Sequence, residues 1–139
     1  MADEYNLQRF IDAQKDTYAV ALSEIKKGRK QSHWMWYIFP QVRGLGFSAT
    51  SKLYGIKDIY EAEAYLQHPL LGSRLVEISK ELQQLKINNA HTIFGSPDDM
   101  KLHSSMTLFS SLHNADPLFS LDLAKFFKGK KDEKTLGLL

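Results

Sequence analysis

Apolar side chains recur along most of the chain at intervals of three and four residues, the spacing of an α-helix that buries one face. The clearest case is the segment 69–85, for which we predict a long helix. Its apolar stripe consists of Leu71, Leu75, Ile78, Leu82 and Leu85. A stripe of this kind packs one side of the helix on a core and leaves the other side to solvent.

Two helical runs are predicted before residue 30. Asn6 is a suitable N-cap for the first run and Asp16 for the second, which should end at Gly28 because glycine readily adopts the left-handed conformation of a helix stop. The apolar residues of the two runs are Leu7, Phe10 and Ile11, then Tyr18, Leu22 and Ile25. The spacing leaves open whether these runs are two helices or one.

Polar caps and prolines mark the starts of further helices. Asp58 followed by Glu61 has the pattern of a capping box. Proline suits the first helical turn, because its missing N–H would be unpaired there in any case. Three prolines follow a residue that can cap a helix, in the pairs His68–Pro69, Ser96–Pro97 and Asp116–Pro117. We also expect a short helix over 90–94 that closes at Gly95, and a final turn capped by Asp132.

Strand signals are weak. Only the segment 36–42 has the aromatic and β-branched content of a strand, and Pro40 interrupts it. The sequence shows no repeat and no linker rich in glycine and serine. We therefore predict a mainly α fold of about six to eight helices, forming a single globular helical domain over residues 1–139.

Composition narrows the class of protein. The length of 139 residues and the apolar share of 43% suit one domain with its own core. The absence of cysteine excludes disulfides, thiolate nucleophiles and zinc sites with sulfur ligands. The net charge of only +2 argues against a nucleic-acid partner bound by charge. No apolar run approaches the roughly 20 residues that cross a bilayer, so we expect a cytoplasmic protein with no membrane partner.

The segment 28–52 breaks the helical pattern and holds both tryptophans, Trp34 and Trp36. Either these rings are core aromatics or they stack on a flat ligand such as a nucleobase, and both roles can occur together. The glycine pair before Ser48 could present N–H groups to a phosphate, or it could simply form a tight turn. The candidate substrate-binding residues of this segment are Lys30, Trp34, Trp36, Gln41, Arg43, Gly44 and Gly46.

The segment 95–109 carries the candidate carboxylates Asp98 and Asp99. Acidic residues in a first helical turn complement the helix dipole, and this structural role alone explains them. As catalytic groups they would activate water or stabilise an oxocarbenium-like centre, with His33 as an acid–base group. Lys101, Ser104 and Ser105 are further candidate substrate-binding residues. The histidines lack the spacing of metal ligands, so we expect no metal and no cofactor.

Four sequence blocks carry a family resemblance. They are SHWMWYIFPQ at 32–41, AYLQHPLLGSRL at 64–75, IFGSPDDMKLHSSMTLF at 93–109 and KDEKTLGLL at 131–139. In these blocks the chain resembles the bacterial family registered as domain of unknown function 1810. The resemblance covers almost the whole chain and implies a mainly α-helical single domain with no established activity. Some relatives carry the label calpastatin, which describes a long disordered inhibitor and does not suit this composition.

Shorter pieces are similar to the NADAR (YbiA-like) superfamily, although their order differs. They are HPLLGSRL at 68–75 and KFF at 125–127, followed by 136–139. That similarity implies a YbiA-like helical class and cleavage of N-glycosidic bonds in nucleotide-like or ADP-ribose substrates. No catalytic carboxylate of that superfamily matches a numbered residue here.

These observations lead to one functional hypothesis and one alternative. The hypothesis is binding or N-glycosidic hydrolysis of a nucleotide-like or ADP-ribose-like small molecule. The alternative is a non-enzymatic module that binds a protein or a nucleic acid. Its main support is the basic cluster of Lys26, Lys27, Arg29 and Lys30. The sequence does not indicate an oligomeric state.

Overall fold

A computed structural model describes residues 3–139, and ten helices form within that part of the chain. They are α1 (Gln8–Gln14), α2 (Tyr18–Lys26), α3 (Met35–Ile38), α4 (Ala49–Tyr54), α5 (Ile59–Gln67), α6 (Leu71–Gln84), α7 (Ala90–Phe94), α8 (Asp98–Ser110), α9 (Pro117–Phe127) and α10 (Glu133–Leu138). Within residues 3–139 no strand forms, and one isolated parallel bridge joins Val42 to Ile56. The prediction of a mainly α fold is confirmed.

Helix α8 lies at the centre of the fold, where it packs against α5, α7, α9 and α10. Its second half is buried on nearly every side, and this burial includes the polar residues Ser104, Ser105 and Thr107. Helix α6 behaves as its apolar stripe predicts, with Leu71, Leu75, Ile78 and Leu82 all in the core.

The N-terminal helices differ from the prediction in their caps. The two runs are separate helices, and Gly28 ends the second with a φ of 77° as expected. The N-cap assigned to Asn6 is wrong, because Asn6 itself adopts a φ of 51°. Instead, the carboxylate of Asp3 accepts hydrogen bonds from the backbone N–H groups of Leu7 and Gln8, ahead of a helix that has no side-chain cap at its own N-cap residue, Leu7. Asp16 does not cap α2, which begins after Thr17 without a side-chain cap.

Most of the later helix ends are as predicted. Asp58, Asp116 and Asp132 each cap the helix that follows them, and α7 closes at Gly95. Ser96 makes no cap for α8, whose first turn follows Pro97.

The helices are more numerous than the sequence predicted, because the irregular segments contain short ones. The strand-like stretch at 36–42 overlaps α3, which begins one residue earlier and buries Met35 and Ile38. A short helix can bury apolar side chains on several sides, so its sequence loses the regular period from which helices are predicted. These short elements shape the candidate site.

Candidate ligand cleft

The segments 28–52 and 95–109 meet at one cleft, which we call the α8 cleft. Its volume is about 230 Å³. The loop that leads into α4 forms one wall, and α8 together with the segment around α10 forms the other. The lining residues are Gln41, Leu45, Gly46, Ser51, Pro97, Met100, Lys101, His103, Ser104, Asp132 and Lys134. A narrower recess shares Gln41, Leu45, Gly46 and Ser51 with this cleft and reaches Trp36.

A chain of charged groups joins the two segments beside the cleft. Lys30 forms an ion pair of 2.8 Å with Oδ2 of Asp98, and Lys101 lies 3.4 Å from Oδ1 of the same carboxylate. The ammonium of Lys101 also lies 4.4 Å from the centre of the Trp36 ring. Lys101 is thus positioned by an acid and by an aromatic face, since a cation is attracted to both.

Trp34 is not accessible to a ligand, since its exposed fraction is 0%. Its indole Nε1 donates a hydrogen bond of 2.9 Å to Oε1 of Glu24, and its ring packs near Phe39 and Phe94. The role of stacking platform therefore does not fit Trp34 in this structure. Trp36 is partly exposed at the recess, so stacking of a flat ligand on its ring stays a prediction.

Glu24 organises the start of this aromatic segment, and sequence reasoning missed it. Its carboxylate accepts hydrogen bonds from the N–H groups of Gln31 and Ser32, the Ser32 hydroxyl and the Trp34 indole. Burial alone would raise the pKa of Glu24, but these hydrogen bonds outweigh burial and lower it from 4.5 to about 2. The charged carboxylate thereby fixes the backbone between Lys30 and Trp34.

The turn before α10 belongs to the same wall of the cleft as α8. The backbone N–H of Asp132 donates to the Thr107 hydroxyl at 2.9 Å. Oδ2 of Asp132 accepts hydrogen bonds from the N–H and the hydroxyl of Thr135, at 3.0 and 2.6 Å. Ser104 donates a longer hydrogen bond of 3.4 Å to the same oxygen. These bonds hold Asp132 in place and leave its second oxygen, Oδ1, for other partners.

His103 ties the last segment of the chain to α8. Its ring stacks on Phe127 with centres 4.2 Å apart, and its Nε2 lies 2.7 Å from the backbone oxygen of Lys130. The residues of the cleft that sequence reasoning missed as site residues are Leu45, Ser51, Pro97, Met100, His103, Asp132 and Lys134. Pro97 and Asp132 carried a local signal only as helix starts. Nothing in the sequence placed the chain end in the cleft, because its approach to α8 depends on long-range packing.

The segment with Gly44 and Gly46 forms a tight turn. Gly44 has a φ of 107°, which glycine adopts without strain. At Gly46 a side chain would meet Ser51, since a Cβ atom there would lie 2.5 Å from the Ser51 hydroxyl. Ser48 accepts a hydrogen bond from the backbone N–H of Ser51, so that amide is already paired. Gly46 lines the cleft, whereas Gly44 lies in the neighbouring recess.

Several predicted site residues lie elsewhere. Asp99 points away from Asp98 and lies 3.5 Å from His91, in a groove near Phe127. Arg43 lines a separate groove near the first helix. His33 is exposed, and its backbone oxygen accepts a hydrogen bond from Tyr37.

Two further residues do not present their polar atoms as predicted. Ser105 is buried inside α8, and its hydroxyl has no partner. The side chain of Lys30 is only 8% exposed, so it adds little to a basic surface for nucleic acid. For Lys101, Ser104, Gln41, Gly46 and Trp36, a role in binding stays a prediction that the geometry permits.

Residues 3–139 contain neither a membrane-spanning helix nor a cluster of metal ligands. No helix in this range is long and apolar enough to cross a membrane. No group of three or more histidine and acidic side chains within these residues is arranged to hold a metal ion.

Comparison with known proteins gives two matches that run nearly the length of the chain. The model of a family described as "Protein of unknown function (DUF1810)" matches residues 4–139. Among solved structures, the chain is similar to the conserved hypothetical protein Rv1873 from Mycobacterium tuberculosis. The two share 47% sequence identity over 99% of this chain and 98% of that chain, with a TM-score of 0.96. None of the curated proteins matches the chain.

Proposed function

This chain belongs to the DUF1810 family, and we propose that it binds a small, anionic, nucleotide-like molecule in the α8 cleft. The observation that carries this proposal is the convergence of two remote segments on one polar cleft. There, Lys101 and Lys134 stand beside hydrogen-bonding groups from Gln41, Ser51 and Ser104. Pockets that bind small molecules combine apolar walls with a few such converging polar groups.

The charges of the cleft favour an anion. Lys134 has no ion-pair partner among the described residues, and Lys101 shares its only carboxylate with Lys30. Leu45, Pro97 and Met100 supply apolar wall for the rest of the ligand. The similarity of short sequence pieces to the NADAR superfamily supports the same class of ligand.

Hydrolysis of an N-glycosidic bond receives less support than binding. Asp98 is held by two lysines, which leaves it poorly suited to act as a general base, and Asp99 faces another groove. If the site hydrolyses its ligand, Asp132 is the carboxylate in the cleft with an oxygen to spare. Binding is therefore the first property to test.

A thermal unfolding screen tests the proposal. The probes are the nucleoside 5′-monophosphates, ribose 5-phosphate, ADP-ribose and NAD. A ligand at a hundredfold excess over its Kd stabilises the native protein by about 2.7 kcal/mol. We expect at least one phosphorylated probe to raise the unfolding temperature, and Lys101→Ala to weaken its binding about tenfold or more.

The matched control is Lys86→Ala, which removes an exposed lysine outside the cleft. This variant should bind the probe as the native chain does. An equal shift in the native protein and in Lys101→Ala would contradict the assignment of the cleft. No shift with any probe would favour a module that binds another protein, for which the 87% exposed Phe47 is a natural contact.

A further inference from the structure

We propose that the α8 cleft selects a phosphomonoester in its doubly charged form, on a ligand no larger than a mononucleotide, and that Asp98 sets this charge requirement. This inference rests on the proposed function and names its substrate class. Three features of the cleft carry it: its volume, the sharing of Asp98 between two lysines, and the hydrogen-bonding groups on its two walls.

The volume of the cleft limits the size of the ligand. Sites for drug-sized ligands enclose about 300–1,000 Å³, whereas the α8 cleft encloses about 230 Å³. A pentose phosphate or a mononucleotide matches this volume. ADP-ribose, which adds a second phosphate and a second ribose, would extend beyond the walls that the cleft provides.

The pairing of Asp98 sets a threshold for the charge of the ligand. An anion that binds Lys101 competes with the Asp98 carboxylate, which lies 3.4 Å from the Lys101 ammonium. A phosphomonoester carries about −1.5 to −2 charge at pH 7 and three strong acceptor oxygens. It can therefore outcompete a carboxylate for Lys101 and attract Lys134 as well. A singly charged group has no such advantage over the carboxylate that it displaces.

Lys30 permits this exchange of partners. It holds Asp98 with the shorter ion pair, 2.8 Å, and its own side chain is 8% exposed. When Lys101 turns to a ligand, Asp98 keeps a cation and is not left as an unpaired, partly buried charge, which would be costly. Lys30 and Asp98 thus act as positioning residues behind Lys101, the residue that touches the ligand.

Hydrogen-bonding groups on both walls of the cleft suit the hydroxyl groups of a pentose. Oδ2 of Asp132 is occupied by Thr135, which leaves Oδ1 to accept a hydrogen bond. Gln41 and Ser51 add an amide and a hydroxyl on the other side. A sugar hydroxyl can donate to a carboxylate and accept from an amide, so this set of groups matches a ribose.

The experiment compares, by calorimetry at pH 8, three probes that share the adenosine group and differ in charge. Adenosine 5′-monophosphate is doubly charged there, adenosine 5′-monosulfate is singly charged, and adenosine is neutral. We expect the monophosphate to bind the native protein at least about tenfold more tightly than the monosulfate, and adenosine to bind weakest. Asp98→Asn frees Lys101 for a weaker anion, so this variant should bind the monosulfate more tightly and narrow the ratio of affinities.

If Asp98 had only a structural role, Asp98→Asn would change the affinities for the monophosphate and the monosulfate by the same factor. The ratio of the two affinities would then stay the same. Equal affinity of the native protein for monophosphate and monosulfate would overturn the charge requirement while leaving the proposed function standing. A ratio that Asp98→Asn does not change would overturn the role of Asp98. Binding of none of the three probes by the folded protein would overturn this inference, whereas the proposed function fails only if no phosphorylated probe of the thermal screen binds either.

Discussion

At the scale of single residues, buried polar groups decide the shape of the site. Glu24 accepts four hydrogen bonds from the stretch that precedes α3, and Lys30 and Trp34 owe their positions to it. Sequence reasoning singled out the exposed-looking tryptophan, histidine and lysine residues of this stretch. The same reasoning could not identify Glu24, because an acidic residue inside a predicted helix is normally expected to face solvent.

Replacing Glu24 by glutamine should destabilise the protein by about 2–3 kcal/mol at pH 7, because it removes charge-assisted hydrogen bonds. The pKa of Glu24 is lowered from 4.5 to about 2 in the folded state. Its stabilising effect is therefore present above pH 4.5 and disappears as the pH falls towards 2. Urea unfolding at pH 7 and at pH 3 checks this, and Glu63→Gln on α5 serves as control. If Glu24→Gln lowered the free energy of unfolding as much at pH 3 as at pH 7, this explanation would be refuted.

Gly72 is required by the close approach of two helices. A Cβ atom at this position would lie 1.9 Å from the backbone oxygen of Leu66, which cannot move without shifting α5. Gly72→Ala should lower stability by at least about 2 kcal/mol through overpacking. Gly137→Ala, where a Cβ atom meets nothing within 4 Å, should leave stability unchanged or raise it. Equal stability of the two variants in chemical denaturation would contradict this account.

At the scale of helices, a carboxyl group lies buried at the contact between α6 and α9, and its burial favours the protonated form. Asp122 is fully buried, and only its Oδ1 is paired, with Gln83 at 2.7 Å. Burial raises the pKa of Asp122 from 3.8 to about 7, against the opposing effects of Gln83 and Lys125. Lys125 itself donates to backbone oxygens at the end of α6, including that of Leu82 at 2.7 Å.

The raised pKa of Asp122 makes stability depend on pH. Between about pH 4 and 7 the folded state keeps a proton that the unfolded state has lost, so stability falls as the pH rises through this window. Asp122→Asn should therefore be more stable than the native protein at pH 8, on the order of 1–3 kcal/mol, and close to it at pH 4. Thermal unfolding at both pH values tests this, beside Asp16→Asn at an exposed site. A variant that is less stable than the native protein at pH 8 would count against it.

How well each helix could be predicted depends on how far its conformation is determined by residues that are neighbours in the sequence. Helix α6 has a regular stripe, and α9 and α10 have aspartate caps, so each could be predicted from neighbouring residues. Helices α3 and α4 have six residues or fewer and form within a segment whose conformation depends on distant partners. The hydrogen bond that the Leu7 N–H donates to the Asp3 carboxylate spans a turn and is not a standard helix cap. No sequence pattern predicted it.

At the scale of the whole molecule, the candidate site exists because distant segments meet. The sequence indicated the segments 28–52 and 95–109 by their unusual composition, and the fold brings them to one cleft. It could not choose between Asp98 and Asp99, which differ by about 100° around a helix axis and so face different grooves. The contribution of the chain end, through Asp132 and Lys134, depends on packing against α8 and had no local signal.

The central claim is that a nucleotide-like anion binds in the α8 cleft, and an amide NMR titration with adenosine 5′-monophosphate tests it most directly. Chemical shifts should change at the residues that line the cleft, among them Gln41, Leu45, Gly46, Ser51, Lys101, Ser104 and Asp132. The groove of Arg43 and that of Asp99 should stay unperturbed, since they lie apart from the cleft. Changes centred on either of those grooves, or no saturable change anywhere, would contradict the account.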